Sequence, residues 1–305
     1  MKNEITIVEQ GIVSQVTQFE KLLDTLGLPS QNVIASMDER QNIMNMLPNM
    51  IINMPEEQKR DARYLSKFVA GAAIGLFDAS LNFVWDEVIV SLRKKIVFYG
   101  LDTFFDSAVY DKIRDQYNDE EDLLGIKDKV LLDTLKKLEW ISDIVYRKLC
   151  HILDMRNQIG ASHPNTYDIN SYELLGWLQT CVKEVIADKP SSNAIHVKDI
   201  MENLRNNKQE IDEITLSTIE KAVSEFSTGM AGNLLRSLFG LYIADNTLPE
   251  VRKNILKLSA VVWKYCMDDI KYDLGEKKLL YKNNLQKEKE DLAYTFFEKC
   301  KGLSY

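Results

Sequence analysis

Apolar positions at the start of the chain fall at Ile5, Val8, Ile12, Val16, Phe19, Leu23 and Leu26, in steps of three and four that line one stripe of an α-helix. Pro29 predicts the end of that helix, and Ser30 offers a hydroxyl to cap a second one. The Met- and Asn-rich stretch NIMNMLPNMIINMP is punctuated by Pro48 and Pro55, and its thioethers read as adaptable packing. From Pro55 to Gly100 the pattern is one long helix or two nearly continuous ones, with Arg93, Lys94 and Lys95 near the end, where cations complement the helix dipole. Gly71-x-x-x-Gly75 within it marks close helix packing.

The most regular stripe comes next. Leu131, Leu135, Leu138, Ile141, Val145, Leu149 and Ile152 advance by three or four and predict one helix. Another helix follows in INSYELLGWLQTCVKEVIA, with Ser171 as its cap, and stops before Pro190. Beyond a KPSSN linker, four or more helical segments run to the C-terminus, one opened by Pro249 at the first-turn position that proline tolerates. No segment alternates as a strand, so the expected fold class is all-α, a helical bundle.

Composition agrees with this. The 13 Gly and 6 Pro make up about 6% of the 305 residues, half the ~12% of an average chain. The net charge of -8 comes wholly from residues 1–190, which hold 29 acidic and 21 basic side chains, whereas 191–305 hold 17 of each. That balance argues against a broad surface for coating nucleic acid, though a local basic cleft is compatible with it. The opening MKNEITIVEQ lacks the apolar core of a signal peptide. The longest apolar stretch, Phe68 to Phe77, is about half of the ~20 residues that span a bilayer. The expected setting is therefore the cytoplasm, without membrane attachment. Cys150, Cys181, Cys266 and Cys300 lie far apart, form no C-x-x-C pair and read as free thiols. His151, His163 and His196 are the only histidines, so a three-His zinc site would consume all of them, and no metal or other cofactor is expected.

Extending the long stripe by four from Ile152, or by seven from Leu149, reaches Arg156. A guanidinium there replaces an apolar residue on a face expected to be buried. Such a charge is costly unless paired or used, which marks the position as a candidate site. Pairing within the chain would use Asp143 or Glu139. The next residues, MRNQIGASHPN, bring Asn157, Ser162 and His163. Gly160 lets the helix close, and Pro164 turns His163 away from helical dihedrals. The second Arg-Asn pair, Arg205-Asn206, has no downstream His.

Arg156, Asn157 and His163 at this spacing, between two helices, resemble the signature of the HEPN superfamily of all-helical nucleotide-binding and ribonuclease domains. The resemblance covers about residues 60–190. It implies a HEPN-like ribonuclease domain over 56–190, an N-terminal helical segment over 1–55 and a C-terminal helical domain over 191–305. It further implies metal-independent endonucleolytic cleavage of RNA. In that chemistry His163 moves the proton of the ribose 2'-hydroxyl or of the leaving oxygen, Arg156 neutralises charge on the phosphoryl oxygens, Asn157 orients either partner, and Ser162 adds a donor. Because one Arg and one His make a thin site, the resemblance implies a homodimer with two motifs across one cleft, in a toxin or abortive-infection effector. A regulatory protein partner is a further expectation. The competing expectation is a non-catalytic helical module, a HEPN-like scaffold or an unrelated bundle, that holds a protein partner or caps an RNA without cutting it. Asn82, Asp86 and Glu87 interrupt the apolar LNFVWDEVIV and either line the cleft or satisfy an internal hydrogen bond. His151, three residues before Asp154, makes a poor metal pair. Trp85, Trp140, Trp177 and Trp263 suit core packing better than base stacking.

Overall fold

The computed structural model describes residues 16–109, 111–114, 116–161, 167–189, 192–206 and 208–300. Among the described residues every regular element is a helix and there is no strand, so the chain is all-α. It divides into two compact units that alternate along the sequence: residues 1–94 with 143–189, and 95–142 with 190–305. This differs from the contiguous division at 55 and 190 that the sequence suggests. The physical origin is α5 (Phe77–Tyr99), one helix that runs from the first unit into the second.

The first unit holds the described part of α1 (16–25), α2 (Met37–Ile51), α3 (Glu56–Asp61), α4 (Arg63–Ile74), most of α5, α9 (Asp143–Met155) and α10 (Ser171–Cys181). Helix α1 ends before Pro29, where the Leu28 N–H donates to the Leu23 carbonyl at 2.9 Å. The cap of α2 is Ser36 rather than Ser30, its Oγ accepting the Glu39 N–H at 3.4 Å, because the chain makes turns between Leu26 and Ser36 first. Pro48 lies inside α2 instead of ending it. Packing of α2 against α4 and α10, with Ile43 and Leu47 withdrawn from solvent, carries the helix through. In the same way α10 is capped by Asn170 in a reciprocal box with Glu173, and Ser171 is the buried first residue of the helix, where the Glu39 carboxylate accepts its N–H at 2.5 Å.

The region from Pro55 to Gly100 forms three helices where one or two were expected. Gly75, at φ +94°, closes α4: the Leu76 N–H reaches the Gly71 carbonyl at 2.9 Å and the Gly75 N–H reaches that of Ala72 at 3.2 Å. Gly71 faces Ser80 of α5 with no room for a side chain, so the Gly71/Gly75 pair serves the tight α4–α5 turn. The start of α4 has no cap of its own and borrows one. Buried Glu87 of α5 accepts the N–H groups of Tyr64 and Leu65 at 2.9 and 3.0 Å. Glu87→Ala leaves both donors unmet, that of Leu65 buried and that of Tyr64 partly so, and is expected to cost about 3 kcal/mol, with Glu87→Gln losing about half as much. Urea midpoints check this, and an unchanged midpoint for Glu87→Ala would refute the borrowed cap.

The stripe from Leu131 to Ile152 is two helices in two units, not one. Leu131, Leu135 and Leu138 are buried in the second unit, on α8 (Asp128–Lys137) and just after it, and Leu149 and Ile152 in the first, on α9. Between α8 and α9 the chain turns at Glu139, at φ +55°. Tertiary contacts hold that turn. The Asn233 side chain donates to the Leu138 carbonyl, and Trp140 stacks on Tyr99 with ring centroids 5.2 Å apart. The Glu139 carboxylate lies over Gly229, the second residue of α13 (Thr228–Ile243), in space that any larger residue would fill. There the positive end of the helix favours an anion.

In the second unit α13 is apolar around most of its circumference and sits at the centre. Leu234, Leu235, Leu238 and Phe239 are buried among α14 (Pro249–Val262), α15 (Asp268–Asn283) and α16 (Lys287–Lys299). Phe239 meets Phe296 edge-to-face at 5.1 Å. Pro249 opens α14 as its first residue. Helices α11 (Ser192–Asn206) and α12 (Glu213–Ser224) complete this side.

All four cysteines are free. Burial pushes the Cys181, Cys266 and Cys300 thiols up to about 12, so they stay protonated at neutral pH. Only Cys150 is partly accessible. One thiol is expected to react with a disulfide reagent in the native protein and all four after denaturation. Rapid labelling of two or more in the folded state would contradict this burial.

Candidate functional site

Helix α9 ends at Met155 and the chain continues as a wide π-helical turn over Arg156–Ala161. Such turns interrupt the regular ladder and often accompany functional residues. Arg156 opens the turn, half-buried as its place on the stripe predicts. Its Nη1 donates to Asn157 Oδ1 at 3.0 Å. Its Nε is buried and has no acceptor among the described residues. The acids considered as internal partners lie elsewhere. Glu139 is engaged over Gly229, and Asp143, at the far end of α9, is about 20 Å away at 1.5 Å per residue.

A buried guanidinium N–H without an acceptor costs about 1–3 kcal/mol. Asn157 fixes one edge of the fork and leaves the Nε edge as a donor, the arrangement that grips an oxyanion. Ser162 and His163 lie outside the described residues, as does Pro164.

Asn82 and Asp86 are half-buried on α5, in the same unit as Arg156. The Asn82 amide donates back to the Asp78 carbonyl at 3.0 Å. Glu87 is committed to capping α4, so of the three polar residues in LNFVWDEVIV it is structural. Trp85, Trp177 and Trp263 are buried, and half-buried Trp140 is stacked on Tyr99. His151 is exposed beside Trp177, with ring centroids 6.4 Å apart, and no group of three metal-binding side chains occurs among the described residues.

Sequence reasoning missed a groove of about 320 Å³ in the second unit. Helices α11 and α12 each pack on α14 but hardly on each other, and the gap between them is lined by Ile200, Leu204, Ile211, Ile219 and Ala222. Asn254 of α14 fixes its lower edge, accepting the Ile211 N–H at 2.9 Å and donating to the Gln209 carbonyl at 2.7 Å. The apolar spacing of α11 and α12 is visible in the sequence. That their facing sides stay apart is a tertiary fact. No protein-family profile, curated protein or solved structure matches the chain.

Proposed function

We propose that the chain is a metal-independent endoribonuclease of the HEPN type, acting as a homodimer on cellular or phage RNA in the cytoplasm, in the manner of a toxin or abortive-infection effector. The observation that carries this reading is Arg156: a half-buried guanidinium whose buried Nε has no acceptor among the described residues, held by Asn157 at the head of the turn that precedes His163 in the sequence. In the proposed reaction an imidazole takes the proton of the ribose 2'-hydroxyl, the 2'-oxygen attacks phosphorus, and the 5'-oxygen leaves with a proton. The products are a 2',3'-cyclic phosphate and a 5'-hydroxyl. His163 supplies the imidazole, and Arg156 holds the non-bridging oxygens as their charge grows. Asn157 orients the guanidinium. Ser162 is a further donor, and Asn82 and Asp86 are supporting residues.

The test is incubation of the purified chain with total RNA in EDTA, with the new ends identified by enzymatic phosphorylation of 5'-hydroxyls. Cleavage giving those ends supports the proposal. Intact RNA overturns it in favour of a helical scaffold that holds a protein partner.

A further inference from the structure

Among the described residues, two features present open apolar surface. One is on α1, where Phe19, Leu22 and Leu26 are 52%, 48% and 63% exposed although Val16 on the adjoining face is buried at 5%. Leu26 continues the helix, its N–H donating to the Leu22 carbonyl at 2.9 Å, so the three side chains stand at i, i+3 and i+7 on one line. The other is the groove between α11 and α12. At the ~30 Å³ that a water takes in the liquid, its 320 Å³ hold about ten water-sized groups, the scale of two to three large apolar side chains.

We propose that the α11/α12 groove receives α1 of a second copy of this chain, the two copies exchanging the helix reciprocally. The spacing of Phe19, Leu22 and Leu26 is the one by which amphipathic helices anchor in apolar grooves. Charge permits the fit. Glu20, Lys21 and Asp24 point away from that line, and the two ionisable residues that line the groove, His196 and Asp199, are exposed, so an apolar anchor can enter while both keep their water. A lipid surface fits α1 less well, since its charged side carries two acids and one base where membrane-binding helices are basic. Mutual exchange of one helix for one groove closes at two copies and leaves neither surface open.

The inference shares with the ribonuclease reading only the expectation of a dimer, and it is read by mass rather than by cleavage. Light scattering of the full chain is expected to give a dimer. Phe19→Asp with Leu26→Asp, on exposed positions, disables the helix. Ile219→Glu, or Thr218→Trp at the rim, disables the groove. Each variant is expected to weaken association at least thirtyfold, about 2 kcal/mol for loss of a central anchor, while circular dichroism shows the helical content retained. Mixing a helix-disabled with a groove-disabled variant restores one intact contact and is expected to regain dimer mass. A monomeric parent chain overturns the proposal, as does a dimer indifferent to both sets of changes. Two monomeric variants that fail to pair on mixing overturn it as well, and so does a dimer lost in the helix variant but kept in the groove variants, the result that belongs to α1 packing on α1.

Discussion

RNA cleavage in EDTA is expected to fall about 10²–10³-fold in Arg156→Ala, the loss typical of removing one fixed donor from a developing oxyanion. Arg156→Lys keeps the charge but not the planar fork and is expected to recover only part of the rate. His163→Ala removes the proton carrier and is expected to lose about 10²–10⁴-fold. Asn157→Ala loosens the guanidinium through its 3.0 Å bond and is expected to have the smallest effect of the three. Stability provides the internal control. Because the Arg156 Nε is buried without an acceptor among the described residues, Arg156→Ala removes a donor that none of them meets, and its urea midpoint should stay unchanged or rise. Loss of cleavage together with a large loss of stability would instead make Arg156 a structural residue. Cleavage that survives both Arg156→Ala and His163→Ala would remove the proposed mechanism altogether.

The largest effect on folding is expected at Gly75. A side chain there would adopt φ +94°, which costs an L-residue about 1–2 kcal/mol. Its Cβ would also lie 2.6 Å from Ile34 Cγ2 and 3.0 Å from the backbone nitrogen of Ala35. That nitrogen cannot retreat cheaply, because it donates to the Gly75 carbonyl at 2.9 Å. With about 1–3 kcal/mol for overpacking, Gly75→Ala should lose about 2–5 kcal/mol, a large share of an ordinary domain's stability. Gly176 provides the contrast. It lies inside α10 with nothing within 4 Å of a built Cβ, so Gly176→Ala should gain about 0.5–1 kcal/mol. Chemical denaturation of the two variants side by side checks the pair, and equal midpoints would show that neither local geometry matters as described.

The two glycines also show what a one-dimensional pattern conveys. Helical periodicity predicts where most helices lie, and Pro29, Pro55 and Pro249 predict their ends or starts. The interruptions are harder to see. Nothing local announces the turn at Glu139, since Leu135, Leu138 and Ile141 keep helical spacing through it; the turn is held by Asn233, Gly229 and Tyr99, residues distant in sequence. Caps shift for the same reason. Ser30 and Ser171 are good capping residues, but Ser36 and Asn170 stand where the chain enters α2 and α10. At the candidate site Arg156 is legible as a charge that breaks an apolar stripe, and its side chain is half-buried. The groove was not legible, because an uncovered face has the same sequence as a covered one.

The alternation of the two compact units along the chain has a consequence for biosynthesis. Residues 1–94 leave the ribosome without α9 and α10, which close their core only after 48 residues belonging to the other unit have emerged. At ~5–20 residues per second, the early helices wait several seconds with apolar surface uncovered. The second unit begins with 95–142 and lacks its central α13 until the first unit is complete. The first unit can therefore close before the second, and a nascent chain cut short before α9 and α10, with neither core complete, should be a substrate for chaperones and proteases rather than a functional fragment.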